Sequence, residues 1–159
     1  MRKTVKVIIL DTESEYLKEF CRVYCNQSFD LLGIPVLISQ EDFAHIFSEP
    51  DKTGKRRFCQ RRAKKMMFIK AIIEKIVAIE LGFEEDTGNF AVFSHDLDCV
   101  IYLKPWPSTK SLRLMTFFDF GKDFVKMFQK QKRKCVELNP KDFKEAVVSR
   151  LTTSRDVDS

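Results

Sequence analysis

The chain has 159 residues, of which 44% are apolar and 32% charged, a balance that excludes a disordered protein. The formal charge is +5, and 15 Phe with only 5 Gly indicate a dense core. No apolar run reaches the roughly 18 residues that span a membrane, and residues 1–11 lack the apolar core of a secretory signal. We therefore expect one domain over residues 1–151, a flexible tail at 152–159, and no membrane partner.

The first half of the chain predicts a strand followed by helices. Residues 4–10 are mostly apolar and predict an opening strand, and a helix capped at Thr12 or Ser14 follows. Further elements are a short strand around 35–38, a short helix at 40–48 begun by Ser39, a loop at 49–55, and a long helix from about Arg57 to Leu81 that ends at Gly82.

The second half predicts a sheet and two more helices. Three strand-like runs, at 89–95, 99–106 and 112–120, are separated by short turns and predict an antiparallel meander. A basic amphipathic helix at 121–134 and a last helix at 139–151, with Asn139 as its N-cap, complete the chain. Helices, then a meander, then helices define an α+β fold class.

The positive charge is concentrated in one segment. Residues 52–75 contain ten lysines and arginines and one glutamate, a local charge of +9. A solvated helix face and a nucleic-acid-binding surface both account for such a segment. The residues that we expect to contact nucleic acid are Lys55, Arg56, Arg57, Arg61, Lys65 and, on the middle strand of the meander, Lys104.

Arg62 is predicted to point inward. On the predicted long helix, the apolar residues fall within an arc of about 100° from Phe58, and Arg62 falls near 40°, at the same angle as Glu80. A buried guanidinium requires a partner or an opening to solvent. Three alternatives follow: a structural ion pair, with Glu80 as one candidate partner, a frayed first helical turn that lets Arg62 reach solvent, or a guanidinium that binds an anion such as phosphate at the lip of a cleft.

The chain has two histidines and five cysteines. His45 lies among Phe43, Ile46 and Phe47, so it is either a partly buried histidine bonded to the backbone or a general acid or base. His95 lies in a turn and is expected to be exposed. The cysteines, among them Cys21 and Cys25, have no metal-binding spacing, so we predict free thiols, a reducing cytoplasm, no metal and no cofactor.

Three motifs in order resemble the phage-associated and toxin nucleases of the BECR fold (barnase, EndoU, colicin and RelE-like). They are His45-Ile46 in a short helix, Phe58 to Arg62-Ala63 in a helix start, and Thr116 before two aromatic residues in a late strand. The resemblance covers roughly residues 31–120 and implies metal-independent RNA cleavage. In that chemistry the ribose 2′-hydroxyl attacks the adjacent phosphate, with His45 as base or acid, Arg62 on the phosphate and Thr116 orienting an oxygen. His95 is not among these motifs, so the general acid is unassigned.

Two functions of different classes follow. The first is a toxin-like or phage-encoded ribonuclease that acts on RNA, such as tRNA, with an antitoxin or immunity protein as a further partner. The second is a non-catalytic module that binds nucleic acid or a protein. An open cleft that contains His45, Arg62 and Thr116 favours the enzyme, whereas an Arg62 paired with a buried acid favours the module. An immunity protein fits less well, because such proteins are commonly acidic.

Overall fold

A computed structural model of the chain describes residues 5–120 and 124–152, which form an α+β fold. The helices in this part of the chain are α1 (Glu13–Tyr24), α2 (Glu41–Ile46), α3 (Gln60–Ala63), α4 (Met66–Ile73), α5 (Phe124–Arg133) and α6 (Pro140–Thr152). The strands are β1 (Phe29–Leu31), β2 (Ile34–Leu37), β3 (Ser48–Pro50), β4 (Arg56–Phe58), β5 (Glu80–Glu84), β6 (Asn89–Ser94), β7 (Cys99–Trp106), β8 (Ser111–Asp119) and β9 (Cys135–Leu138). Among the described residues, every helix is too short or too polar to cross a bilayer.

Seven strands form one mixed sheet in the order β1-β2-β8-β7-β6-β5-β9, and β3 pairs with β4 in a separate hairpin. The predicted meander is confirmed, because β6, β7 and β8 are adjacent and antiparallel. The sheet is nevertheless not purely antiparallel, since β2 runs parallel to β8, with Val36 opposite Leu112. Two parallel strands cannot be joined by a tight turn, and here the whole segment between β2 and β8 connects them.

The larger core lies between one face of the sheet and the helices α1, α4 and α6. Helix α1 begins with a capping box, in which Thr12 Oγ1 accepts from the Glu15 amide at 3.1 Å, and it buries Tyr16, Phe20 and Tyr24. In α6, Phe143 packs edge-on against Phe90 of β6, with ring centroids 5.1 Å apart. Each helix therefore buries an apolar stripe, as the helical spacing of the sequence predicts.

A smaller core lies on the opposite face of the sheet, beneath α5. Phe128 of α5 contacts Phe93 and Phe120, at centroid distances of 5.2 and 5.5 Å. Tyr102 of β7 donates to Gln131 Oε1 of the same helix at 2.8 Å. This helix thus covers one end of the outer sheet face.

The prediction of one long helix from Arg57 to Leu81 is wrong. Arg56–Phe58 is strand β4, the helix is interrupted between α3 and α4, and Glu80–Glu84 is strand β5. Gly82 does not end a helix but lies between β6 and β9, where an added Cβ would meet Cys135 Cβ at 3.0 Å. Strand pairing on both sides of β5 therefore prevails over the helical spacing of residues 57–81.

Other predictions have mixed outcomes. The helix begun by Thr12 and the strand near 35–38 are confirmed as α1 and β2, and α6 is confirmed with its Asn139 cap, whose Oδ1 accepts from the Asp142 amide at 2.7 Å. The short helix expected at 40–48 is α2, but its N-cap is Gln40 rather than Ser39, and the Ser39 amide donates to Asp42 Oδ2 at 2.8 Å. Residues 5–10 form no strand, and strands β1 and β9 were not predicted. The first residues of the helix expected at 121–134 and the tail at 153–159 lie outside the described residues.

The buried hydroxyl of Tyr24 provides a test of the packing between α1 and α4. It accepts from the Lys70 amide at 2.9 Å and donates to the carbonyl of Met66, and burial raises the pKa of Tyr24 well above its usual range. Tyr24→Phe leaves both backbone groups without this partner, so we expect the free energy of unfolding in urea to fall by about 1–3 kcal/mol. Tyr102→Phe, which removes one bond to a side chain, is the matched control and should cost about 0.5–1.5 kcal/mol. Equal losses of unfolding free energy in the two variants would contradict the two backbone hydrogen bonds assigned to Tyr24.

Candidate functional site

Two arginines converge on the carbonyl oxygens that follow helix α2. Arg62 Nη1 donates to the carbonyls of Ile46 and Ser48 at 3.2 and 3.4 Å. Arg56 donates through Nε to Ser48 Oγ at 2.9 Å and through Nη2 to the Ser48 carbonyl at 2.8 Å. The last carbonyls of a helix have no partner within the helix and carry partial negative charge. The arginines satisfy this end of α2 and fix the backbone beside His45.

Arg62 points inward, as predicted, but its observed partners are neutral oxygens. Its guanidinium lies 5.9 Å from the centre of the Phe118 ring, and its Nε is buried without a hydrogen-bond partner among the described residues. The alternative of an ion pair between Arg62 and Glu80 is wrong, because Glu80 binds His95 Nε2 at 2.9 Å and also binds Lys132. Since residues 57–81 do not form one helix, an equal helical angle does not bring Arg62 and Glu80 together.

An open cleft of about 780 Å³ lies between the start of α1, the end of α2 and the β3–β4 hairpin. Its polar lining contains one imidazole, one carboxylate and three cationic side chains: His45, Glu13, Lys55, Arg56 and Arg57. His45 is exposed, so the alternative of a partly buried histidine is wrong and the residue is accessible to a ligand. The volume is within the range of roughly 300–1,000 Å³ that is typical of ligand pockets.

Glu13 is the residue that the sequence did not single out. It is the first residue of α1, where acidic side chains are common because they favour the positive end of a helix. Only the fold brings it to the same cleft as His45, which is 32 positions away in the chain. No spacing of acidic residues along the chain indicates that Glu13 and His45 line one cleft.

The other predicted site residues lie elsewhere. Thr116 is on β8 opposite Tyr102, next to an irregularity in the β7–β8 register, and neither Thr116 nor Arg62 lines the cleft. Lys104 is exposed on β7, directly opposite Arg113. Of the predicted site residues, the cleft therefore contains His45, Lys55, Arg56 and Arg57.

Arg61 and Lys65, which the sequence places toward solvent, both bind Asp119. Lys65 Nζ lies 2.6 Å from Asp119 Oδ1, and Arg61 Nη1 binds Oδ2. The carboxylate is only 1% exposed, so it is enclosed by these two cations and by the fold. The contact joins the α3–α4 segment to the end of β8 and offsets part of the basic charge.

Asp51 organises the loop of the β3–β4 hairpin. Its carboxylate accepts from the amides of Thr53 and Lys55 at 2.9 and 3.0 Å and from Arg57 Nε at 2.7 Å. The Thr53 hydroxyl, and then Arg57, lower the pKa of Asp51 to about 2. This carboxylate fixes the loop that presents Lys55 to the cleft.

Comparison of the chain with protein-family models, with curated proteins and with solved structures gives no match. Within residues 5–120 and 124–152, no group of three or more His, Cys, Asp and Glu side chains is arranged to hold a metal ion. The cysteines at 21, 25, 59, 99 and 135 are free thiols.

The role of Arg62 at the end of α2 predicts a loss of stability that Arg57 does not share. Arg62→Leu leaves the carbonyls of Ile46 and Ser48 without its donors, so the free energy of unfolding should fall by about 1–3 kcal/mol. Arg57→Leu is the control, because the Arg57 side chain is 67% exposed and its ion pair should contribute less than about 1 kcal/mol. Urea denaturation of both variants measures the difference. Equal stability of the two variants would show that the Arg62 contacts are dispensable.

The low pKa of Asp51 predicts a loop that loses order in acid. The folded pKa of about 2 lies below the ordinary value of 3.8, so the carboxylate stabilises the loop above pH 4. That contribution is lost as the pH falls from about 4 to about 2. NMR spectra should show the Thr53 and Lys55 amide signals shifting with a midpoint near pH 2, and Asp51→Asn should abolish the transition. A midpoint near 3.8 would contradict these contacts.

Proposed function

We propose that the chain is a metal-independent endoribonuclease whose active site is the cleft at the end of α2. One observation carries the proposal: an exposed imidazole, His45, and a carboxylate, Glu13, line the same open cleft as Lys55, Arg56 and Arg57. Cleavage of RNA by its own 2′-hydroxyl needs a base, an acid and positive charge near the phosphate. These five side chains include all three kinds of group.

The reaction needs one group that accepts a proton and another that donates one. Glu13, as a carboxylate, accepts the proton of the ribose 2′-hydroxyl, and the 2′-oxygen attacks the adjacent phosphorus. His45, as an imidazolium, donates a proton to the 5′-oxygen as the bond from phosphorus to that oxygen breaks. The products are a 2′,3′-cyclic phosphate and a free 5′-hydroxyl. Glu13 thus completes the pair of proton-transfer groups for which the sequence supplied only His45.

The three cations bind the phosphate and the charge that develops on it. Arg56 is suited to this role because its contacts to Ser48 involve a hydroxyl and a carbonyl, which leave its positive charge uncompensated. A guanidinium also matches two phosphate oxygens at once. In this proposal Arg62 is a positioning residue that holds the backbone next to His45, rather than a ligand of the phosphate.

The proposal retains the BECR-like arrangement and a toxin-like or phage-encoded effector as its biological setting. The α+β fold and the β6–β8 meander support it, and of the motif residues His45 lines the cleft whereas Arg62 and Thr116 do not. RNA, such as tRNA, is the substrate, and an antitoxin or immunity protein is the partner that would neutralise the activity.

A second candidate function is binding of RNA without cleavage. Two observations favour it: Arg62 donates to backbone carbonyls, and Thr116 does not line the cleft that contains His45. A module of this kind would use Lys55, Arg56 and Arg57 as phosphate contacts. Its affinity for RNA would fall steeply with salt, since each phosphate contact releases a counterion.

Incubation of end-labelled RNA with the protein in EDTA tests the nuclease. Wild-type protein should cut the RNA and leave 2′,3′-cyclic phosphate ends, while His45→Ala and Glu13→Gln should lower the rate by about 10²–10⁴-fold, the typical contribution of a general acid or base. Asp11→Asn is the matched control, because this exposed acid precedes α1 and does not line the cleft. RNA with a 2′-deoxyribose at the cleaved position should stay intact, because it lacks the attacking 2′-hydroxyl.

The possible failures of this experiment are distinct. Intact RNA in every lane, with salt-dependent binding that Arg56→Gln weakens, would reject the nuclease and support the binding module. Cleavage that survives both His45→Ala and Glu13→Gln would reject the proposed active site. Intact RNA without measurable binding would reject both functions of the cleft for that RNA.

A further inference from the structure

A second basic surface lies on the β7–β8 hairpin. Residues 100–118 contain three basic residues, Lys104, Lys110 and Arg113, and no acidic residue. Lys104 and Arg113 are directly opposite each other in the strand register, so their side chains share one face of the sheet. Neither makes an ion pair with another residue in the part of the chain that the structure describes. The hairpin therefore carries positive charge that the fold does not neutralise.

An aromatic ring lies among these cations. Trp106, the one tryptophan of the chain, follows Lys104 by two positions on β7 and is 37% exposed. The Arg113 guanidinium lies 5.1 Å from the centre of its ring. Leu37, which is opposite Arg113 on β2, is 40% exposed beside them.

This surface remains open because α5 covers only the other end of the same sheet face. Phe128 packs against Phe93, and Tyr102 forms a hydrogen bond with Gln131. Lys104, two residues after Tyr102 on β7, is exposed. Trp106 is 37% exposed, so part of its ring is accessible to a ligand. The combination of an exposed ring with uncompensated cations is the pattern by which proteins bind single-stranded nucleic acid.

We propose that the β7–β8 hairpin binds single-stranded RNA, with a base stacked on Trp106 or on the Arg113 guanidinium. Bases stack on aromatic rings and on guanidinium planes alike. Lys104 and Lys110 contact the phosphates on either side. A duplex does not fit this surface, because its paired bases are stacked on each other and expose no face.

The inference rests on the proposed encounter with RNA, but it involves none of the cleft residues. His45, Glu13 and Arg56 do not take part, and the hairpin can bind whether or not the cleft cleaves. A strand bound here would extend the recognised RNA beyond the nucleotides held in the cleft. The two proposals therefore fail in separate experiments.

The single tryptophan permits a direct measurement. An oligouridine of roughly ten nucleotides, within the site sizes of roughly 4–16 nucleotides common for such surfaces, is titrated into the His45→Ala protein so that the probe stays intact. Quenching of Trp106 fluorescence and the rise in anisotropy of a labelled oligouridine should give the same binding curve. The duplex of oligouridine and oligoadenine should give no quenching.

Substitutions separate stacking from charge. Trp106→Ala should weaken oligouridine binding by roughly tenfold, whereas Trp106→Phe should retain most of it. Arg113→Gln should weaken binding and reduce the salt dependence by about one counterion. Lys18→Gln, which removes an exposed charge on α1, is the matched control and should change neither the affinity nor its salt dependence. Thermal unfolding checks that each variant is folded.

Three results would overturn the hairpin proposal. Binding of oligouridine without any change in Trp106 fluorescence would place the RNA elsewhere, and it would leave the cleft proposal untouched. Equal quenching by polyglutamate or by the duplex would show that the surface binds acidic polymers in general. An oligouridine that does not bind would reject the hairpin surface, while cleavage of a structured RNA in the nuclease experiment would still support the cleft.

Discussion

The end of helix α2 is the constraint on which the candidate site depends. The last carbonyls of a helix have no partner within it, and they are a large share of the carbonyls in a helix of six residues, which here ends next to buried aromatic side chains. Arg62 of α3 donates to the Ile46 carbonyl at the end of α2, and Arg56 of β4 donates to the Ser48 carbonyl just beyond it. Because both donors are cationic, they also match the negative end of the helix. One backbone requirement thus joins three elements and fixes the position from which His45 projects.

The acids of the chain then determine where positive charge remains. Asp119 is enclosed by Arg61 and Lys65, and Asp51 binds Arg57 within the hairpin. Among residues 5–120 and 124–152, the partners of Arg56 are neutral oxygens, so its charge is not offset in the same way. The +9 segment is therefore not a uniform basic surface. Part of it serves to hold α3 against the sheet, and the part next to His45 is directed at the cleft.

Local signals predicted much of the fold, and contacts distant in sequence account for what they missed. The cap of α1, the Asn139 cap of α6 and the three strands of the meander depend on neighbouring residues, which the sequence displays directly. Helical spacing over residues 57–81 did not give a helix, because β5 pairs with β6 and β9 and Gly82 permits the close approach of Cys135. The inward direction of Arg62 followed from local spacing, whereas its carbonyl partners and the presence of Glu13 in the cleft depend on how separate elements pack.

The two proposed RNA surfaces are attached to opposite ends of the same helix. Arg113 of the hairpin reaches Ser39 Oγ, just before α2, at 3.5 Å, and Arg56 reaches the carbonyl of Ser48, just after it. Six residues of helix span about 9 Å, so the two arginine contacts lie within a distance that a few nucleotides of single-stranded RNA can cover. Glu41 and Asp42 lie along the first turn of α2 and would repel a backbone laid directly on the helix. A strand that occupies both surfaces must therefore pass beside α2, which favours flexible single-stranded RNA over a rigid duplex.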